Sequence, residues 1–352
     1  MNRTHSKPPQ PTGMALAAAI GWVVVTFSIA PAHGQDFVVP QTISEQAQRA
    51  LARFSRAAAI APLPAPDDID AWKLVQARIE VKRAAANTAV VKQYQPRIQE
   101  RKLRGVPVLD IKPQGGKDGN RVLVYTHGGA YALYSARSRL MSAVPMAHDT
   151  GLRVVSVDYT LAPHAKWNQI TDQIVDVIQA LLEEGRTLNE IAIYGESAGG
   201  GLAAGAVLKM RDKGLGMPSA VVLWSPWSDI TETGDSYSTL KNADPLLYYP
   251  NNLENCADAY AAPADQKHPY VSPVYGDYSK GFPPTLIQAG TKEIFLSNAV
   301  RHYQALDIAG ILVKLDLYEG MWHIFQVFNH DLPESKIARK KVSEFLSQHV
   351  GS

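Results

Sequence analysis

Gly195-Glu196-Ser197-Ala198-Gly199 sets a serine between two glycines where an apolar run, IAIY, gives way to small residues, GGLAAGAVLKM. A serine hydroxyl is a poor nucleophile at neutral pH, so its surroundings decide whether it does chemistry. The bare GxSxG pattern arises by chance about one time in ten in a chain of this length. Strand, sharp turn, then helix is the context that a nucleophile elbow requires. The glycines leave room for the turn, and the helix N-terminus behind Ser197 favours developing negative charge. The candidate chemistry is attack by Ser197 on an acyl carbon, with an oxyanion to be stabilised.

That oxyanion needs backbone N–H donors on a loop that side chains do not obstruct. His127-Gly128-Gly129-Ala130 follows the run RVLVYT and offers one. Gly128, Gly129 and Ala130 are candidate donors, complemented by the N–H of Ala198, the residue after the serine. Ala130 keeps an N–H but adds a Cβ, so whether Gly128 or Ala130 joins Gly129 stays open. For the base and the group that orients it, the order with an elbow serine is serine, acid, histidine. His323 lies just past the run VKLDLY, and Glu293 follows TLIQAG. The acid should follow the preceding strand, so Glu293 is the candidate, with Asp316 inside VKLDLY and Glu319 just after it as the nearby alternatives. His148, His302 and His330 sit on helical or loop segments.

Gly199-Gly200-Gly201-Leu202-Ala203-Ala204 also fits a loose dinucleotide-binding pattern. That reading wants its glycines in the turn and an acid at the end of the next strand, but AVVLWS ends without one. No GxxxxGK[ST] loop exists either.

The elements that must position these residues follow from periodicity. Gln41–Ala59 and Asp67–Arg83 carry apolar residues at helical spacing, and no strand-like pattern is expected before Arg104. From there VPVLDI, RVLVYT, RVVSVDY, IAIYG, AVVLWS, TLIQAG and VKLDLY alternate with helical segments such as 169–184 and 200–213. Continuous apolar strands alternating with helices indicate a mostly parallel sheet covered on both faces, the α/β class. Residues 237–278, rich in Asn, Pro, Asp and Tyr, interrupt that rhythm as an insertion. The expected organisation is a helical cap segment at 35–104 and a catalytic domain at 105–352 with the cap-like insertion.

The motifs resemble those of the hormone-sensitive-lipase-like esterases, from about Val106 to the C-terminus. HGGAY is similar to that family's HGGG-[FY] loop, GESAGG to its GDSAGG elbow, and Asp158 to Pro163 to its DYRLAPE stretch. GMWHIFQ and AGTKEIFL look most like the subgroup that includes monoterpene lactone hydrolases. The resemblance implies an α/β-hydrolase fold with a helical cap, a serine carboxylesterase acting on small short-acyl esters or lactones, and no metal or organic cofactor. It places Glu293 where many relatives carry Asp. Thr160 and His164 replace an Arg and a Glu of the DYRLAPE stretch, so the salt bridges of relatives are not expected here. An amidase or specialised lactonase would use the same triad; a binding protein on this fold would be expected to lack His323.

The chain has 352 residues, 46% hydrophobic and 19% charged, as an ordinary globular protein does. Arg3 and Lys7 precede an apolar run, Met14 to Ala30, that ends in Ala32-His33-Gly34. This reads as a signal peptide over 1–34, making the mature protein periplasmic or secreted without a stable membrane anchor. Its removal takes two of the 35 basic residues and none of the 33 acidic ones, leaving formal neutrality. Such a surface has no field to recruit nucleic acid, so the expected partner is a small-molecule ester. Cys256 is alone and forms no internal disulfide.

Overall fold

A computed structural model describes residues 37–116 and 119–351. The signal-peptide reading, 1–34, lies outside the described residues. Those that bear on the site belong to one unit, Gln35–Ser352.

Each β-type run read from the sequence is a strand. They are β2 (Val106–Lys112), β3 (Val122–Thr126), β4 (Arg153–Val157), β5 (Ile191–Glu196), β6 (Ala220–Trp224), β7 (Thr285–Gly290) and β8 (Val313–Tyr318). With β1 (Arg97–Leu103) they form one sheet in the order β1-β2-β4-β3-β5-β6-β7-β8. β1 and β2 pair antiparallel, as do β2 and β4, and every other pair is parallel. β3, β5, β6 and β7 are buried at every position, because parallel strands here carry helices on both faces. The pairing sets Thr126 beside Gly195, Glu196 beside Trp224 and Gly290 beside Tyr318. The carboxyl ends of these strands therefore share one rim, where open α/β sheets place their ligands.

The helices are α1 (Glu45–Leu51), α2 (Arg56–Ala59), α3 (Ile69–Tyr94), α4 (Leu140–Thr150), α5 (Trp167–Glu183) and α6 (Ala198–Asp212). They continue with α7 (Ser236–Thr239), α8 (Glu254–Tyr260), α9 (Leu296–Ile308), α10 (Phe325–Phe328) and α11 (Pro333–His349). The first expected helix breaks into α1 and α2, whereas α3 runs well past Arg83. Asp68 caps α3 by accepting the N–H of Ala71 (3.0 Å), and Gln95, at φ 45°, ends it before Pro96.

β1 corrects the expectation that 35–104 is helical throughout. RIQERKL lies on the sheet edge with most positions exposed or half-buried, so no alternating apolar signal marks it. Antiparallel pairing with β2 supplies its hydrogen bonds instead.

The N-terminal segment and the insertion meet. Arg56 Nη1 donates to the Lys241 carbonyl (2.6 Å), Leu63 N–H to the Asn251 carbonyl (3.1 Å) and Asn255 Nδ2 to the Leu63 carbonyl (2.9 Å). Upstream, Phe37, Ile43, Ala47 and Leu51 bury against Met321, Trp322 and Phe325. At about 1.5–3 kcal/mol for each large apolar side chain, this burial holds the arm on the loop that carries His323. Gly320, at φ 69°, is required there: a Cβ would lie 2.6 Å from Ile43.

Candidate active site

β5 runs into Ser197 and α6 begins at Ala198, so the serine occupies the turn between them. Its φ of 57° with ψ of −128° is a strained conformation for a residue with a Cβ. Two backbone bonds hold it there. Ser197 N–H donates to the Trp224 carbonyl (2.9 Å), and Trp227 N–H donates to the Ser197 carbonyl (2.9 Å). The flanking glycines are forced by contact: a Cβ at Gly195 would lie 2.2 Å from Gly199 O, and one at Gly199 2.1 Å from Thr126 O.

The loop after β3 lies against this turn, since a Cβ on Gly128 would fall 3.1 Å from Ser197 Cβ. Its chain is wound into left-handed conformations at Gly129 (φ 119°), Ala130 (φ 51°) and Tyr131 (φ 62°). Tyr159 Oη donates to the His127 carbonyl (2.7 Å), and the Tyr131 carbonyl accepts the N–H of Ala162 (2.9 Å). The structure removes Gly128 from the oxyanion donors, because its N–H is already given to Glu196 Oε1 (3.1 Å). Among the described residues the N–H groups of Gly129, Ala130 and Ala198 donate to no other group. His127 is a support here: its Nδ1 lies 2.8 Å from the Gly128 carbonyl, and burial pushes its imidazole down to about 4, leaving it neutral at pH 7.

Glu293 and His323 come together. His323 Nδ1 donates to Glu293 Oε2 at 2.8 Å, with both side chains buried. Glu293 Oε1 accepts the N–H of Gly290 (2.6 Å) and the hydroxyl of Ser225 (2.9 Å). Phe295 packs edge-on against the His323 ring at 5.1 Å. Ser197 Oγ forms no hydrogen bond among the described residues, so its contact with His323 is open in this structure. Such bonds are often long before substrate arrives.

Three supporting groups are given no role in the site by the sequence. Ser225, at φ 43°, takes the Ile324 N–H (3.0 Å) on the hydroxyl that serves Glu293. Because Trp224 holds the Ser197 amide, the end of β6 ties serine, acid and histidine loops together. Glu196 is fully buried beneath the serine and accepts Arg139 Nε (2.8 Å), Tyr125 Oη (2.5 Å) and Ser142 Oγ (3.2 Å) besides Gly128. Its charge is compensated by the buried Arg139, without which it would be costly. In the stretch after β4, amides replace charges: Gln173 pairs with Thr160 (2.9 Å) and Gln76 with His164 (3.2 Å).

Residues 123–327 match the family described as having the alpha/beta hydrolase fold, and the chain belongs to that family. An esterase of Acinetobacter venetianus is 35% identical over 254 residues, 72% of this chain and 83% of its own. An acetyl-hydrolase of Streptomyces hygroscopicus is 32% identical over 256 residues, 70% and 85% of the two chains. Among solved structures, esterase E25 superposes with a TM-score of 0.82 at 29% identity, covering 89% of this chain and 96% of its own. An esterase of the bacterial hormone-sensitive lipase family gives 0.70 at 30%, covering 80% and 98%. The chain is a carboxylic ester hydrolase of the hormone-sensitive-lipase-like group.

Proposed function

We propose that this enzyme hydrolyses small, short-acyl esters or lactones through an acyl-enzyme on Ser197. The observation that carries the reading is the buried His323–Glu293 pair on the same rim as a strained serine and unspent loop N–H groups. His323 Nε2 takes the Ser197 proton as Oγ bonds to the acyl carbon. The carbonyl oxygen becomes an oxyanion held by N–H groups of Gly129, Ala130 and Ala198. The imidazolium, stabilised by Glu293, returns its proton to the departing alkoxide. Water then attacks the acyl-enzyme with the same base, and the Oγ–acyl bond breaks to release the acid. For a lactone, leaving group and acid stay in one molecule.

The short-acyl preference draws on the acetyl-hydrolase among the relatives, and the lactone arm on the resemblance of GMWHIFQ and AGTKEIFL to the subgroup that includes monoterpene lactone hydrolases. Rates with p-nitrophenyl esters of increasing chain length, lactones and anilides test it. kcat/KM is expected to peak at two to four acyl carbons or on a lactone. A peak on anilides makes the protein an amidase, and one on long-chain esters overturns the short-acyl reading.

We further propose export, on the signal-like 1–34 segment. Protein recovered from its host should begin near Gln35. An intact Met1 in the cytoplasmic fraction would overturn the idea.

A further inference from the structure

The insertion places one more carboxylate at the site, Asp244, which the mechanism above does not use. It is fully buried, and each of its oxygens is committed to backbone. Oδ1 accepts the N–H groups of Leu246 (2.8 Å) and Leu247 (2.9 Å), closing a turn around Pro245. Oδ2 accepts the N–H of Ile294 (2.8 Å), the residue after Glu293. The acid loop is gripped again by Ser236, whose hydroxyl donates to the Ile294 carbonyl (2.6 Å). Ser236, just before the insertion, and Asp244 within it thus hold the backbone of the acid loop on both sides of one residue.

We infer that Asp244 is a positioning residue: through the Ile294 N–H it fixes the Glu293 turn to the insertion, and it brings a second carboxylate to the loop that orients His323. The inference rests on the hydrolytic reading proposed above. A neutral hydrogen-bonding residue would hold the turn, so the charge requires its own account. When His323, on the loop after β8, carries a proton, its field favours ionised Asp244. Burial pushes the Asp244 carboxyl up to about 6, against that field and the three N–H donors. Glu293 adds its carboxylate from the loop after β7. From the insertion itself, Lys241 is exposed, and Arg56 of α2 bonds to the Lys241 carbonyl and to Asn242. Ionised Asp244 therefore favours the imidazolium that forms as Ser197 gives up its proton, when catalysis gains most from such a charge. Below pH 6 it accepts a proton and that contribution fades.

Asp244→Asn keeps the size of the side chain and removes the charge. With a short-acyl ester at pH 8, kcat is expected to fall about 10–100-fold, with KM within about twofold. The ratio of wild-type to variant kcat should shrink toward one as the pH falls through 6, because protonated Asp244 then resembles Asn. Ser236→Ala, which cuts the uncharged tie to the same turn, should give a ratio that does not change with pH. A pH-independent ratio for Asp244→Asn, or wild-type kcat throughout, overturns the inference. If the variant does not fold, the wild-type enzyme decides. Its rate of fluorophosphonate labelling must show an ionisation near pH 6 besides that of the base, and a profile with a single ionisation overturns the inference. Ser197→Ala separates the two readings. If it stays active, the hydrolytic reading fails; if it is inactive while Asp244→Asn behaves as wild type, this inference alone fails.

Discussion

Ser197→Ala is expected to lower kcat for short-acyl esters by about 10⁶-fold, with circular dichroism and melting temperature near those of the wild type. The hydroxyl makes no hydrogen bond among the described residues, so its removal leaves the fold's contacts in place. What disappears is the bond-forming oxygen; catalysis left over from the oxyanion donors and binding amounts to about 10³–10⁴ over water. A second serine–histidine pair makes the test sharper. Ser228 Oγ lies 2.7 Å from His302 Nδ1, but both side chains are fully buried, and Tyr278 Oη occupies Nε2 at 2.7 Å. Burial pushes His302 down to about 3, and among the described residues its ring nitrogens meet the hydroxyls of Ser228 and Tyr278 and no carboxylate. A fluorophosphonate should label Ser197 in the intact protein and leave Ser228 untouched. Labelling at Ser228, or substantial activity in Ser197→Ala, would refute the assignment.

The parts of this site that are legible in sequence are those that local chain chemistry dictates. A strand that must turn sharply into a helix needs glycines on either side of its serine, and GESAG shows them. Glu293 and His323 follow strands whose apolar runs are unmistakable, so position and order suffice to pair residues 30 apart. Ser225, Asp244 and Arg139 act through tertiary contacts with loops 50 or more residues away. No periodicity or spacing announces such contacts. β1 escaped for a related reason: an exposed edge strand has no buried face to impose alternation. Gly128 shows a subtler limit. Its type and place suit an oxyanion donor, but the neighbouring carboxylate of Glu196 claims its N–H, and a glycine-rich motif does not say where each amide points.

That division bears on backbone strain as well. Ser197, Ala130, Tyr131, Ser225 and Ile324 all hold positive φ. Such conformations cost about 1–3 kcal/mol each and persist only where surroundings over-determine them. Here the surroundings are the buried Glu196–Arg139 network, the end of β6 and the docked N-terminal arm. The elements that sequence reveals least are the ones that keep the recognisable residues in place.

The acid invites the sharpest comparison, because three carboxylates lie within reach of the histidine loop in sequence. Glu293→Gln is expected to cut kcat by about 10⁴-fold with the fold intact. Its amide oxygen can still accept from Gly290 N–H and Ser225 Oγ, which turns the amide nitrogen toward His323. Facing a donor, Nδ1 must become the acceptor, and the proton moves to Nε2, where the base has to take the serine's proton. Glu293→Asp preserves the charge and should retain far more activity, at the cost of a carboxylate one methylene short of its three donors. The alternatives are already engaged elsewhere. Asp316 accepts Gln288 Nε2 (3.0 Å) and Lys341 Nζ (2.6 Å) on the β7–β8 side. Glu319 is exposed and bonds to Thr42 of the N-terminal arm. Asp316→Asn and Glu319→Gln should therefore leave kcat within about twofold, since neither charge touches the imidazole. Steady-state kinetics on the four variants, with circular dichroism as control, separates these cases. Near-normal kcat in Glu293→Gln beside a collapsed one in Glu319→Gln would move the acid to Glu319, and the N-terminal arm that binds it would then belong to the active site.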